Sequence, residues 1–228
     1  MVVVVGELVK EGRHVRFLRP DVHHVRTRCR MKAAPSTDKG RATLARILDV
    51  ACELFYSRGV RATSIDQIAQ ASKTGKGQFY HFFSGKSDLV QSVVERQTEL
   101  VLAAQRPWLD DIATGEDLRR WADRLVRLHE EDDDPVRCPL GALAAEISEN
   151  DPDVKTSIEA AFVRWRTLIA AGIQRMVDSG EIGADTEPDS AAEALLAAYQ
   201  GGVLLSQVHG STSTLRLCLG REVEQILR

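Results

Sequence analysis

Five side chains that can bind phosphate occur within one short stretch of the sequence. Ser64, Thr74, Lys76, Tyr80 and Lys86 carry hydroxyl or ammonium donors. The surrounding sequence predicts that they lie at or near helix N-termini, where backbone N–H groups and the helix dipole already favour an anion. No hydrophobic core requires this arrangement. The pattern therefore indicates contact with a polyanion, and the backbone of double-stranded DNA is the polyanion we expect.

The other reactive side chains do not form a catalytic or metal-binding pattern. The sequence contains no Ser/His/Asp, HExxH, P-loop or GxGxxG motif, and His129 and His209 have no partner visible in the sequence. His23, His24 and Cys29 lack the second Cys/His pair that a zinc site needs. We therefore expect no cofactor and no metal ion, and we treat an all-helical enzyme as the disfavoured alternative.

Three helices must position the phosphate-binding side chains. Apolar residues recur at three- and four-residue steps over 41–59, which predicts one helix. Ser64 stands three residues before Gln67, a capping box that begins a second, short helix. An aromatic and basic segment at 76–83 predicts the third, and a long helix follows over 87–105. Two short helices joined by a short turn are typical of a helix-turn-helix; a three-helix bundle without a ligand is the alternative.

Charge is distributed unevenly along the chain. The 228 residues have a net charge of -3, but residues 1–30 carry seven basic and three acidic side chains, a net of +4. Residues 31–100 carry ten and seven, a net of +3, and residues 101–228 carry 13 and 23, a net of -10. DNA binding is therefore expected in the first half, and DNA should repel the second.

The N-terminal residues are treated separately. Residues 1–30 show no helical or strand period, and their opening valine run is too short for a signal peptide. We interpret them as an upstream extension or a disordered basic arm, with Met31 as the alternative start of translation. No apolar stretch reaches eighteen residues, so we expect no contact with a membrane. The four cysteines are widely separated, which is typical of reduced thiols in a cytoplasmic protein.

Helical periodicity continues to the C-terminus. Apolar stripes predict helices near 118–128, 140–148, 152–179, 190–208 and 212–227, while the acidic run 130–134 reads as a solvated loop. The fold class is all-α, with about nine helices. The helix at 190–208 is rich in Ala and Gly, which allows close approach of another helix. The last two helices therefore fit a dimer interface, or alternatively close packing within one subunit.

The stretch from Arg41 to Leu89 resembles the DNA-binding domain of the TetR family of transcriptional repressors, above all in the segment TSIDQIAQASKTGKGQFYHFFSGKSDLV. The resemblance implies a helix-turn-helix domain at 41–88 and an effector-binding and dimerisation domain at 89–228, which leaves residues 1–40 as a disordered basic N-terminal extension. Lys73 stands where the family usually has a turn glycine, and Gly75 where it usually has a Ser or Thr cap. The implied DNA-binding residues are Ser64, Lys73, Thr74, Gly75, Lys76, Gly77, Gln78, Tyr80, His81 and Lys86.

Individual roles follow from that resemblance and from side-chain chemistry. Gly77 allows the helix backbone to approach the duplex, and the amide of Gln78 can read adenine. Tyr80 and Lys86 are expected to fix the position of the protein on DNA without reading sequence. The neighbouring phenylalanines, at positions 79, 82 and 83, are expected to pack against the other helices rather than stack on bases.

The C-terminal half resembles the regulatory domain of one TetR subgroup, on the segments CPLGALAAEISENDPDVKTSIEAAFVRW and LLAAYQGGVLLSQV. The resemblance implies a homodimer that binds a near-palindromic DNA operator and is released by a small, largely apolar effector. Each pocket residue, taken singly, is more often ordinary core than pocket lining. The candidate pocket residues are Trp108, Trp121, His129, Phe162, Trp165, Met176, Tyr199 and Gln207.

Overall fold

A computed structural model describes residues 35–131, 136–146 and 151–228. Within these ranges the chain forms nine α-helices and no strand, which confirms the all-α prediction. The first three form the helix-turn-helix region, and the other six form the rest of the molecule. Their bounds are α1 Asp38–Arg58, α2 Ile65–Ala71, α3 Lys76–Phe82, α4 Lys86–Gln105, α5 Gly115–Glu130, α6 Pro139–Glu146, α7 Pro152–Asp178, α8 Pro188–His209 and α9 Ser213–Ile226.

The first helix begins earlier than the sequence suggested. Residues 1–40 were assigned to an extension, whereas α1 begins at Asp38. The cause is Thr37, whose Oγ1 accepts the backbone N–H of Gly40 at 3.1 Å and so caps the helix. The hypothesis of a disordered arm, and the cluster of His23, His24 and Cys29, fall outside the described residues.

The second helix has the predicted N-terminus. Ser64 Oγ accepts the N–H of Gln67 at 3.2 Å, and Gln67 Oε1 accepts the N–H of Ser64 at 2.7 Å. This reciprocal pair satisfies two backbone donors that the helix cannot satisfy itself. Before it, Thr63 is buried and donates its hydroxyl to the carbonyl of Gly59 at 2.8 Å, which fixes the turn after α1.

Three phenylalanines in and just after α3 form the core of the helix-turn-helix. Phe79, Phe82 and Phe83 are all buried, and the Phe79 and Phe83 rings lie 5.3 Å apart. They belong to the same apolar cluster as Ile47 of α1 and Leu89 of α4. This burial confirms that the phenylalanines pack against the neighbouring helices, and it leaves the other face of α3 for solvent or a ligand.

Two adjacent glycines of α8 have different surroundings. A Cβ placed on Gly202 would lie 2.9 Å from the Cα of Leu215, so this glycine permits the close packing of α8 against α9 within one chain. A Cβ placed on Gly201 would meet no atom within 4 Å. The alternative of packing within one subunit therefore holds for Gly202, while Gly201 lies on an open face.

None of the described helices is both long and apolar enough to span a membrane. Cys52 and Cys138 are buried, Cys218 is partly exposed, and none of these three cysteines is in a disulfide. In the described ranges, no three His, Cys, Asp or Glu side chains come together as a metal site would require.

Candidate functional site

The turn between α2 and α3 has the geometry of a helix-turn-helix turn. Lys73 has a φ of 52°, the left-handed conformation that glycine adopts without penalty. A lysine there costs about 1–2 kcal/mol relative to an unstrained residue. The Ser72 and Thr74 hydroxyls hydrogen bond each other at 2.8 Å, and the Thr74 N–H donates to the carbonyl of Ala69 at 2.9 Å. Thr74 therefore stabilises the turn as well as being a candidate phosphate donor.

The N-terminus of α3 has an unusual cap. Gly75 occupies the capping position and offers no side chain, but its N–H donates to Oε1 of Gln78 at 3.3 Å. Gln78 thereby satisfies the N–H of the capping residue itself, but not the helical N–H groups that a Ser or Thr side chain at this position would accept. Its amide oxygen is engaged within the helix, so reading a base edge through that atom requires this bond to open.

The outer face of α3 is polar and open. Lys76, Gly77, Gln78, Tyr80 and His81 are exposed, and Tyr80 is 48% exposed despite its ring. A Cβ on Gly77 would meet nothing within 4 Å, so the backbone is accessible at the centre of this face. The predicted groove-facing residues therefore lie together on one side of one helix.

Two lysines near α3 differ in their surroundings. Lys76 Nζ lies 2.9 Å from Oδ1 of Asp66 on α2, and this hydrogen bond raises the pKa of the ammonium group. Lys86 begins α4, where partial burial lowers its pKa and the carboxylate of Glu146 opposes that effect. The ammonium group of Lys76 is therefore already paired with a protein carboxylate.

A groove beside α3 was not predicted from the sequence. The segment before and at the start of α1 lies against α3 and encloses a groove of about 470 Å³. The capping residue Thr37 was the sequence feature that could have indicated this groove. It was missed because it lies outside the apolar pattern that predicts α1. The groove is lined by Pro35, Ser36, Thr37, Lys39, Gly40 and Thr43 on one side and by Gly77, Gln78, His81 and Phe82 on the other.

The predicted effector residues do not form one pocket. Trp121, Trp165, His129 and Tyr199 do come together, as a buried aromatic cluster. His129 Nε2 and the Tyr199 hydroxyl are 3.0 Å apart, and the Trp165 and Tyr199 rings are 5.2 Å apart. These side chains fill the interior and hydrogen bond one another.

Gln105 organises the aromatic cluster, and sequence reasoning missed it. Its Oε1 accepts the indole N–H of Trp121 at 3.1 Å and that of Trp165 at 3.0 Å. Its Nε2 donates to the carbonyl of Val101 at 2.9 Å. Gln105 lies at the end of the predicted helix, and nothing in the sequence pattern links it to hydrogen-bond partners 16 and 60 residues away.

The other four candidates lie elsewhere. Trp108 is 37% exposed and stacks under the guanidinium of Arg124, whose Cζ is 4.9 Å from the ring centroid. Met176 is buried eleven residues after Trp165 on α7, about 16 Å along the helix axis. Phe162 and Gln207 line a separate cavity of about 440 Å³ between α6, α7 and α8. Periodicity identifies buried faces but not voids, which is why one predicted set separates into several places.

Comparison with known proteins decides the family. Residues 47–93 match the model described as bacterial regulatory proteins, tetR family, and residues 115–219 match the tetracyclin repressor-like C-terminal domain. The chain belongs to the TetR family of transcriptional regulators. A DNA-free three-helix bundle and an all-helical enzyme are therefore both set aside, because the matched relatives are transcriptional regulators.

Individual relatives agree with this assignment over most of their length. An uncharacterized HTH-type transcriptional regulator of Lactococcus lactis is 29% identical over 173 residues, which are 74% of this chain and 85% of the relative. The HTH-type transcriptional repressor DhaR of a Mycobacterium species is 24% identical over 169 residues, 74% of this chain and 84% of the relative. A TetR regulator of Chloroflexus aurantiacus has the same fold, with a TM-score of 0.72, 23% identity and coverage of 83% of this chain and 96% of that one.

Proposed function

We propose that this TetR-family regulator is a homodimeric repressor that binds a near-palindromic operator through α3 and is released by a small, largely apolar effector. The observation that carries the proposal is the division of α3 into two faces. Its phenylalanines are buried, whereas Lys76, Gly77, Gln78 and His81 are exposed on the accessible side. A helix with this division can enter the major groove while its other face stays in the core.

Each residue of the interface then has a distinct task. Ser64 Oγ acts as an acceptor within its capping box, which leaves the hydroxyl proton for a phosphate oxygen. Lys73, Thr74, Lys76, Tyr80 and Lys86 are assigned to phosphate contacts, which position the protein without reading sequence. The same task extends to Lys39, at the start of α1 beside α3.

Base reading is assigned to the centre of the exposed face of α3. Gln78 and His81 offer hydrogen-bonding groups to base edges. Gly75 and Gly77, which precede Gln78, have no side chain and so allow the backbone to approach the DNA closely. This assignment predicts that the two residue classes respond differently to substitution.

The dimer interface is assigned to α8 and α9. Leu204, Leu205 and Val208 of α8 are 61%, 46% and 74% exposed, and Leu217 of α9 is 55% exposed. Apolar side chains concentrated on one face are typical of a surface covered by a partner. An isologous contact through this face gives two-fold symmetry and would set the two α3 helices about 34–36 Å apart on DNA.

Fluorescence anisotropy of the full chain on the intergenic DNA beside its own gene tests the proposal. Lys39, Lys73, Lys76 and Lys86 would supply eight charged phosphate contacts per dimer. Raising salt from 50 to 200 mM should then weaken binding about ten-thousandfold, since the slope is about -0.9 per contact. A scrambled duplex of the same composition is the control. Equal affinity for both duplexes would overturn sequence-specific repression.

A further inference from the structure

Helix α6 contacts the helix-turn-helix region at both of its ends. Arg137, just before α6, donates from Nη1 to the backbone carbonyl of Tyr56 at 2.6 Å. Its guanidinium also lies 5.2 Å from the centre of the Tyr56 ring. At the other end, Oε2 of Glu146 accepts the backbone N–H of Arg61 at 3.3 Å. One eight-residue helix therefore holds both the end of α1 and the turn that leads to α2.

The Glu146 contact is closely fitted to its partner. Gly59 has a φ of 87°, and a Cβ placed on it would lie 2.6 Å from Oε2 of Glu146. Only a glycine allows the carboxylate to approach the turn at this distance. The same carboxylate acts electrostatically on Lys86, the predicted phosphate-binding residue at the start of α4. A displacement of α6 would therefore be felt at the turn before α2 and at α4.

The same two residues line the cavity between α6, α7 and α8. Its volume of about 440 Å³ falls within the range of small-molecule sites, which runs from about 300 to 1,000 Å³. Its polar groups besides Arg137 and Glu146 include the amides of Gln200 and Gln207. The remaining wall is mostly apolar and includes Ala142, Ala144, Ala145, Phe162, Val203 and Leu204.

The charges of this cavity restrict the ligand. Arg137 and Glu146 already serve Tyr56 and the Arg61 amide, so a charged ligand would have to compete with those contacts. The amides of Gln200 and Gln207 can bind an uncharged polar group. An uncharged, largely apolar molecule with one hydrogen-bonding end is the ligand that this wall fits.

We infer that this cavity, rather than the aromatic cluster, is the effector site, and that its occupant is sensed through Arg137 and Glu146. The inference rests on the proposed function and names how that site is regulated. A ligand that pushes α6 away from α7 and α8 strains the contacts to Tyr56 and Arg61. It thereby binds better to the arrangement in which the helix-turn-helix is turned away from its DNA-binding position.

Cavity-filling substitutions can stand in for the unidentified effector. Ala144→Phe on α6 and Phe162→Trp on α7 add volume from opposite walls, and Val163→Phe adds a ring at an exposed position outside the cavity as the matched control. Each is made in the wild-type chain and in an Arg137→Gln/Glu146→Ala background. Far-UV circular dichroism and sedimentation velocity identify any variant that fails to fold or to form the wild-type oligomer.

Operator affinity gives the first readout. We expect each filling variant to lose at least tenfold in operator affinity in the wild-type background and less than threefold in the Arg137→Gln/Glu146→Ala background, with Val163→Phe unchanged in both. Equal losses in the two backgrounds would show that the cavity acts by another route. No loss from either correctly folded variant would overturn the effector-site assignment.

Hydrogen exchange of the peptide containing Gly59 to Thr63 gives a readout that does not need DNA. The Arg61 amide donates to Glu146, so both filling variants should speed its exchange at least fivefold, as should Glu146→Ala, which removes the acceptor. Unchanged exchange in the folded variants sinks the coupling even if operator binding is normal. Faster exchange in a chain that binds no operator would instead keep the coupling and reject the proposed function.

Discussion

Replacing Gln105 with leucine tests whether one glutamine holds the aromatic cluster together. Gln105 and both of its indole partners, Trp121 and Trp165, are at most 1% exposed. Gln105→Leu leaves two buried N–H groups without an acceptor, at about 1–3 kcal/mol each. The added apolar surface of leucine offsets about 1 kcal/mol. We therefore expect the free energy of unfolding to fall by about 3 kcal/mol.

The same helix provides a matched control. Gln97 is 2% exposed, and its Oε1 finds no hydrogen-bond partner among the described residues. Gln97→Leu removes an unsatisfied acceptor, so it should change stability by less than about 1 kcal/mol or increase it. The two substitutions are chemically identical and differ only in what the lost oxygen was bound to.

Urea denaturation followed by circular dichroism at 222 nm measures both variants without depending on tryptophan fluorescence. All samples are compared at one protein concentration, because the stability of a dimer depends on it. In a Trp165→Phe background one donor is already gone, so Gln105→Leu should cost about 1–3 kcal/mol less than in the wild type. Equal costs for Gln105→Leu and Gln97→Leu, or no change in the Trp165→Phe background, would refute the role given to Gln105.

Three further predictions concern DNA binding and assembly. Lys86→Ala should weaken binding to all duplexes alike and reduce the salt slope by about 2 per dimer. Gln78→Ala should mainly reduce the preference for operator over scrambled DNA. Anisotropy titrations distinguish the two variants, and an equal loss of discrimination in both would contradict both roles. Asp66→Asn removes the exposed ion-pair partner of Lys76, so operator affinity should rise about threefold to tenfold while the melting temperature stays unchanged. An unchanged operator affinity would show that the ion pair does not compete with phosphate. Val208→Glu places a charge at the most exposed apolar position of α8 and should shift the sedimentation profile to that of a monomer. Val163→Glu on α7 is the control and should leave the profile unchanged. A chain that still forms dimers with Val208→Glu would place the interface elsewhere.

The helix-turn-helix could be predicted from sequence because its determinants are local. The capping box of Ser64 and Gln67 spans four residues, and the phenylalanines of α3 reveal its buried face by their spacing alone. The left-handed turn at Lys73 was also foreseeable, since the family pattern expects glycine there. Each of these features depends on neighbours within one or two turns of the chain.

Apart from the local cap at Thr37, the features missed from sequence depend on distant partners. Gln105 meets Trp165 across 60 residues, and Arg137 meets Tyr56 across 81. Neither pair leaves a periodic trace, because one polar contact per helix does not alter an apolar stripe. The effector prediction failed to give one pocket for a related reason. A tryptophan that fills the core and one that lines a cavity occupy the same kind of helix position.

The opposite charges of the two halves bear on how a dimer would approach DNA. Several arginines of the C-terminal half pair with carboxylates of the same half, as in Arg119 with Glu224 at 2.7 Å and Arg216 with Glu130 at 2.8 Å. Its net charge of -10 over residues 101–228 therefore acts as a repulsive field toward phosphate. The lysines beside α3 lie at the other end of the chain, in the segment with a net charge of +3. Attraction at one end and repulsion at the other orient the molecule before any base is read, so the charge separation favours approach with α3 facing the duplex.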